Sequence, residues 1–183
     1  MNKQEAAALF HSMHPHFFAQ RSVQSLSEDW EFEEMVLRLA DFDPLRYRRQ
    51  PDASVSFGFW EGDRAALLDA VAQVDPHWTP YFAGKGRAYC ARFEGKPVSF
   101  CLVEALGTHA PGGQAYRIGG PACVGTLPAY RDRGIGLNLV AHVTRILRDE
   151  GYDYSYIHYT YVAPWYEKLG YETVLRWNKD GIL

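Results

Sequence analysis

The pattern of apolar and polar positions changes character near residue 83, with helix-like spacing before it and strand-like runs after it. Lys3 to His11 reads as a first helix and His16 to Gln24 as an extended segment. A second helix is expected to begin near Ser25 or Ser27, where capping side chains precede acids and Trp30, Met35, Val36 and Leu39 recur at helical spacing. Gly62 to Val74 predicts a third helix, with Ala65, Leu68, Val71 and Ala72 as its apolar stripe and Asp75-Pro76 as its stop.

In the second half, Arg87 to Phe93 and Pro97 to Ala105 are rich in aromatic and β-branched residues and flank EGKP, which predicts a hairpin. If Gly95-Lys96 is its two-residue turn, Cys90 falls opposite Cys101 on one face. Residues 115 to 125 form another extended run. From Gly136 to Glu150, Leu139, Val140, Val143, Ile146 and Leu147 face one way, and Asn138, His142, Arg145 and Arg148 the other. DYSYIHY then reads as a strand, APWYEKL as a short helix stopped by Gly170, and YETVLRW as a last strand. This order implies a crossover unit after an antiparallel hairpin, hence an α/β fold with a mixed antiparallel and parallel central sheet flanked by helices.

A length of 183 residues with 47% hydrophobic content suits one domain, 1–183, with a mostly helical half (1–82) and a sheet half (83–183). The net charge of −3 argues against a general nucleic-acid binder, so any anion site must be local. The N-terminus lacks a secretory pattern and no segment is apolar for long enough to span a bilayer, so a cytoplasmic protein without membrane partners is expected; a homodimer is left open. Cys90, Cys101 and Cys123 show neither CxxC spacing nor an even count, which signals neither a zinc site nor a disulfide framework. In HSMHPH, Pro15 interrupts the helical spacing and no acid or cysteine joins His11, His14 and His16, so no metal is expected.

The stretch PAYRDRGIGLNLVAHVTRIL carries the clearest chemistry. A helix N-terminus exposes unpaired amides and the positive end of the helix dipole. Gly134 and Gly136 let the backbone approach an anion, so that successive amides of Asp132, Arg133, Gly134, Ile135, Gly136 and Leu137 converge, with Arg131 and Arg133 adding charge. GKG at residues 84 to 86 lacks the other residues of a Walker loop, and RDRGIG lacks the first glycine of a dinucleotide fingerprint.

Residues 126 to 136, TLPAYRDRGIG, resemble the acyl-CoA signature of the GNAT superfamily of N-acyltransferases: Arg131, Gly134 and Gly136 fill its R/Q-x-x-G-x-G/A positions. Downstream, WYEKLGY at residues 165 to 171 is similar to the family's LYEKLGF element. The resemblance implies that acetyl-CoA is the acyl donor and that its pyrophosphate is the anion. It also implies that the strand Cys123, Val124, Gly125 and Thr126 pairs with the pantetheine arm, and that Tyr166 protonates the leaving thiolate. A phenol, at an ordinary pKa of about 10, lies near enough to a thiol at about 8.5 to share a proton with it. A backbone amide at Val124 or Gly125 could hold the oxyanion.

The chain departs from that family where many members carry a glutamate on the strand before the phosphate loop, since AYRIGGPACVG contains no acid. Glu104 and His158 are the candidates for base. Aromatic crowding at Tyr154, Tyr156, Tyr159, Tyr161, Trp165 and Tyr166, and at Trp60, Trp78, Tyr81 and Phe82, favours a compact amine acceptor over a protein lysine. A noncatalytic CoA-binding sensor and a protein lysine or N-terminal acetyltransferase are the rival readings.

Overall fold

The computed structural model describes every residue except Lys85, which belongs to the GKG stretch discussed above. Its strands are β1 (Phe32–Arg38), β2 (Val55–Phe59), β3 (Arg87–Phe93), β4 (Lys96–His109), β5 (Tyr116–Thr126), β6 (Tyr154–Thr160), β7 (Glu172–Asn178) and β8 (Gly181–Ile182). They form one sheet in the order β2-β3-β4-β5-β6-β1-β7-β8. The helices are α1 (Lys3–Met13), α2 (Arg21–Gln24), α3 (Arg64–Val74), α4 (Thr79–Ala83), α5 (Ile135–Asp149) and α6 (Ala163–Tyr166). Pairing is antiparallel except between β5 and β6, which run parallel because α5 carries the chain from one to the other. The sheet is therefore mixed, as the order of elements predicts.

α5 packs one face of the sheet through Leu139, Val140, Val143 and Leu147, all fully buried. Each such side chain contributes about 1.5–3 kcal/mol on burial. Asn138, expected on the solvent side, is buried instead: its Nδ2 donates to the carbonyls of Arg49 (2.7 Å) and Gly134 (2.8 Å). The opposite face is covered by α3 and α4 over Cys90, Phe100 and Leu102, and by α1 over Val36, Ile118 and Tyr156. α3 spans the expected residues but turns Leu67, Ala70 and Val71 inward, so the stripe assigned to Ala65, Leu68, Val71 and Ala72 is rotated.

Two segments of the first half differ from expectation. His16 to Gln24 is not extended but holds a short 3-10 turn, Phe17–Ala19, followed by α2. The helix expected to contain Met35 and Val36 is the strand β1, so residues 1–82 are not simply helical. β1 lies between β6 and β7 and is antiparallel to both, with Met35 and Leu37 facing α5 while Val36 faces α1. Burial on both faces removes the alternation that would mark an exposed-face strand.

The hairpin forms, but its register is not the expected one. Phe93 pairs with Lys96, and the turn residues are Glu94 and Gly95, both at positive φ (49° and 76°). Two consecutive positive φ values suit the right-handed twist of a tight hairpin. A shift between Ala91 and Arg92 then sets Cys90 opposite Phe100 and Tyr89 opposite Cys101. Cys90 and Cys101 thus face opposite sides of the sheet.

At Gly120 β5 passes too close to β6 to admit a side chain, since a Cβ there would lie 2.1 Å from the Tyr156 carbonyl oxygen. Gly120→Ala should cost about 1–3 kcal/mol in urea unfolding, because backbone must move to admit the methyl. Gly84→Ala, whose nearest neighbour is 3.9 Å away, should change stability by less than about 0.5 kcal/mol.

Candidate active site

Gly134 caps α5 in the left-handed region, at φ 78°, and no side chain caps the helix. The first intrahelical bond runs from the Asn138 amide to the Gly134 carbonyl, which leaves the Ile135, Gly136 and Leu137 amides as the unpaired donors of the first turn. Asp132 also has positive φ, 56°, so the backbone reverses twice within three residues and presents its amides on one concave side. Gly136 has a packing reason as well: a Cβ there would lie 2.7 Å from Thr126 Oγ1 and 3.2 Å from the Trp165 ring.

This loop opens on a cleft of about 560 Å³ whose floor is Val124, Gly125 and Thr126 and whose helical wall is Gly134, Ile135, Gly136 and Leu137. Arg131 and Asp132 line it too; Arg131 Nε donates to the Thr126 carbonyl (3.2 Å), tying the loop to β5. Arg133 does not line the cleft, and its guanidinium lies 5.2 Å from the centre of the Tyr130 ring. Two cleft residues, Tyr47 and Arg49, give no signal in the sequence, and a third, Lys168, lies within the WYEKLGY element without a role assigned to it there. Tyr47 and Arg49 reach the cleft from the loop between β1 and β2, where Arg49 Nη2 donates to the Asp132 carbonyl, and Lys168 reaches it from behind α6.

The floor exists because β5 leaves β6. The two strands pair only at Ile118 with Tyr154 and Gly119 with Ser155. Beyond that point β5 bulges: Leu102 faces Ala122 and Phe100 faces Gly125, so Cys101 opposes both Cys123 and Val124. Cys123 takes positive φ, 49°, and its side chain turns to the α3 and α4 face beside Ala122, while Val124 turns to the α5 face. Burial pushes the Cys123 thiol up to about 12, assisted by Glu104 and Asp75. It is therefore a neutral thiol and not a nucleophile.

A second cleft, also about 560 Å³, lies on the α1 and α3 side of the sheet and meets the first at Trp78, Val124, Tyr161, Val162 and Tyr166. Cys123, Glu104 and His158 line this second cleft. Tyr166 is 7% exposed, held edge-on by Trp165 at 4.8 Å and by Tyr171 at 5.9 Å. Burial, then the neighbouring Tyr171, raises its phenol, which stays protonated at neutral pH. Trp78 and Tyr81 form one wall, as the aromatic crowding suggests, whereas Phe82 is core and Trp60 packs against that core.

Glu104, on β4, has its carboxyl raised by burial, with His158 opposing that shift. His158, on β6, is engaged through Nδ1 with the two oxygens of Glu34 at 3.0 and 2.9 Å. Glu34 is fully buried on β1 and also accepts from Trp177 Nε1 at 2.6 Å and from the Tyr159 amide at 3.2 Å. Neither Glu34 nor its contact with His158 was legible in sequence, because β1 was expected to be helical. Above His158 the His14 ring stacks at 4.0 Å, nearly parallel at 14°. Among the described residues no group of His, Cys, Asp or Glu is arranged to hold a metal ion.

Residues 84–173 match a family model described as an acetyltransferase (GNAT) domain. No curated protein matches the chain. Among solved structures, a glucosamine N-acetyltransferase region of a fungal multi-domain GH3 β-N-acetylglucosaminidase superposes with a TM-score of 0.66 at 22% identity, over 82% of this chain and 20% of that one. A GCN5-related N-acetyltransferase from Kribbella flavida gives a TM-score of 0.52 at 18% identity, over 79% and 55%. AAC(6')-Iy, solved with the bisubstrate analogue CoA-S-monomethyl-acetylneamine, gives 0.55 at 14% identity, over 66% and 92%. The chain thus spans about a fifth to a half of the length of the first two. At these identities the likeness is one of fold.

His14 generates a test of this geometry. Burial, and then the charge of His158, push its imidazole down to about 4, against a smaller opposing pull from Glu34. The unfolded chain therefore takes up a proton near 6.5 that the folded chain refuses until about 4, so this contribution to stability is full above 6.5 and is lost as pH falls toward 4. Urea midpoints should fall between about pH 7 and about pH 5, and His14→Phe, which keeps a ring over His158, should reduce that fall.

Proposed function

This chain belongs to the GNAT acetyltransferases, and on that footing we propose that it moves an acetyl group from acetyl-CoA to the primary amine of a small molecule. The observation that carries the reading is the junction of two clefts at Val124 and Tyr166, one ending in the α5 amides and the other lined by aromatic rings and Glu104. The residues present fit the donor. The α5 N-terminus and Gly134 suit a pyrophosphate, Arg49, Arg131 and Lys168 add positive charge, and the β6-facing edge of residues 121–126 has no strand partner among the described residues. When bound, acetyl-CoA supplies an activated thioester.

The chain's own residues would then act as follows. The backbone at Val124 and Gly125 orients the carbonyl and offers an amide to the developing oxyanion. Tyr166 gives its proton to the departing sulfur. Its phenol is made less acidic by burial, but a thiolate released into the same dry pocket is made more basic by the same cause. Glu104 sits where an ammonium group would gain from a nearby carboxylate.

For the acceptor, Trp78, Tyr81, Tyr159 and Tyr161 offer flat apolar walls beside the polar groups of Glu104 and His158. That mixture suits a compact amine with both apolar and polar faces, and amino sugars come first to mind because two of the superposed structures are described with glucosamine and acetylneamine. Purified protein with acetyl-CoA should acetylate members of a panel of glucosamine, aminoglycosides, polyamines, aryl amines and amino acids. Turnover of lysine peptides alone would reverse the choice of acceptor, and binding of acetyl-CoA without turnover of any amine would favour a sensor.

Acetyl-CoA at about 100 times its Kd should stabilise the fold by about 2.7 kcal/mol in a thermal or urea titration. Gly134→Val, placed at φ 78° against Arg49, should weaken that binding far more than Arg148→Ala, whose side chain lies against Phe42 and Asp149. Tyr166→Phe should lower kcat by about 100- to 10,000-fold while leaving acetyl-CoA affinity near that of the parent. An unchanged rate would reassign the ring to packing.

A further inference from the structure

Glu34 is an unusual carboxylate: it sits on an interior strand of the sheet, with no exposure to solvent. Its surroundings explain how it is tolerated. The Trp177 indole and the Tyr159 amide can only donate, so the Glu34 oxygens act as acceptors toward both. The remaining partner is His158, whose Nδ1 faces both oxygens at 2.9 and 3.0 Å. With Glu34 accepting from this partner as it does from the other two, the imidazole proton sits on Nδ1, which leaves the Nε2 lone pair free. His158 lines the acceptor cleft, and its side chain is 31% exposed where that of Glu34 is 0%.

The ring cannot easily turn away from this arrangement. His14 stacks on it at 4.0 Å and Phe17 meets it edge-on at 5.2 Å. The charged and titratable groups around His158 are Glu34 from β1, His14 from α1, Glu104 from β4, and Tyr156 and Tyr159 on its own strand.

We propose that His158 is the group that takes a proton from the incoming ammonium, and that Glu34 is the positioning residue that fixes its tautomer. The proposal rests on the acetyltransferase reading and adds the base which the strand before the phosphate loop does not supply. His158 Nε2 accepts one proton from R-NH3+ and passes it to solvent, leaving the amine neutral. The amine nitrogen then attacks the thioester carbonyl; the C–N bond forms, the C–S bond breaks, and Tyr166 gives its proton to sulfur. The nitrogen's surplus proton returns to the Tyr166 phenolate, so the net products are the amide, free CoA and one proton. Glu104, on the other side of the cleft, is left to attract the ammonium.

Nitrogen-15 NMR of the imidazoles needs no acceptor: on the neutral limb, His158 should carry its proton on Nδ1. His158→Asn, which can still donate to Glu34 but has no basic nitrogen, should lower kcat with glucosamine, or with the fastest amine of the panel, by about 100-fold or more and remove the acidic limb of kcat/KM. Its acetyl-CoA affinity should not change. Glu34→Gln can donate to Nδ1 and so move the ring proton to Nε2, and it should lose rate with an altered acidic limb; Glu34→Asp should recover part of the rate. Should Glu34→Gln fail to fold, the NMR assignment and His158→Asn still decide. A ring protonated on Nε2, or a His158→Asn enzyme with unchanged rate and pH profile, would overturn the dyad alone. A parent protein that binds acetyl-CoA yet acetylates no amine would overturn the acetyltransferase reading and the dyad with it.

Discussion

The parting of β5 from β6 is the constraint on which the site depends. Parallel strands ordinarily stay paired, because each lost ladder bond leaves a donor and an acceptor in need of other partners. Here pairing lasts for two residue pairs and then stops. Gly119 and Gly120 allow the close approach at the point of departure, where a Cβ would meet the Glu104 and Tyr156 carbonyls, and the bulge at Cys123 bends the strand away. The edge so released becomes the floor of one cleft, and the gap beneath it joins that cleft to the other. α5 must start beside the gap because it is the crossover between the same two strands.

Charge is distributed to suit that geometry. The first cleft is bordered by helix-terminal amides, Arg49, Arg131 and Lys168, with Asp75 and Asp132 also in its lining, whereas the second has Glu104 at its wall and Glu34 behind His158. A net charge of −3 does not reveal that three cationic side chains gather around one cleft. Tyr166 stands where the two clefts meet.

What could be read from sequence follows from how local each signal is. α5 was legible because its burial repeats with helical period, and the turn into it because Gly134 takes a conformation that other residues resist. β3, β4 and β5 were legible as strands, but the turn at Glu94-Gly95 lay one residue earlier than composition suggested, and the Pro97 side of the hairpin absorbs a register shift. β1 was hidden because FEEMVLR is buried on both faces and its partners, β6 and β7, lie far along the chain. A helical reading of that segment gives no sign that Glu34 lies in the interior. Arg49 was missed for a related reason: nothing in RYRRQ announces that its chain segment will cross over residue 132.

The position of β1 also sets the order in which the molecule can be assembled. Glu34 and Trp177 are separated by 143 residues, yet they share a hydrogen bond in the interior. During synthesis β1 emerges early and must wait, as an apolar strand with two unpaired edges and a carboxylate that needs burial partners, until β6 and β7 have left the ribosome. Contacts of such sequence separation slow folding, and exposed edges invite pairing with the wrong chain. β1 is thus a strand made well before its partners, and the cleft beside His158 cannot take its final form until β6 and β7 are available to pair with it.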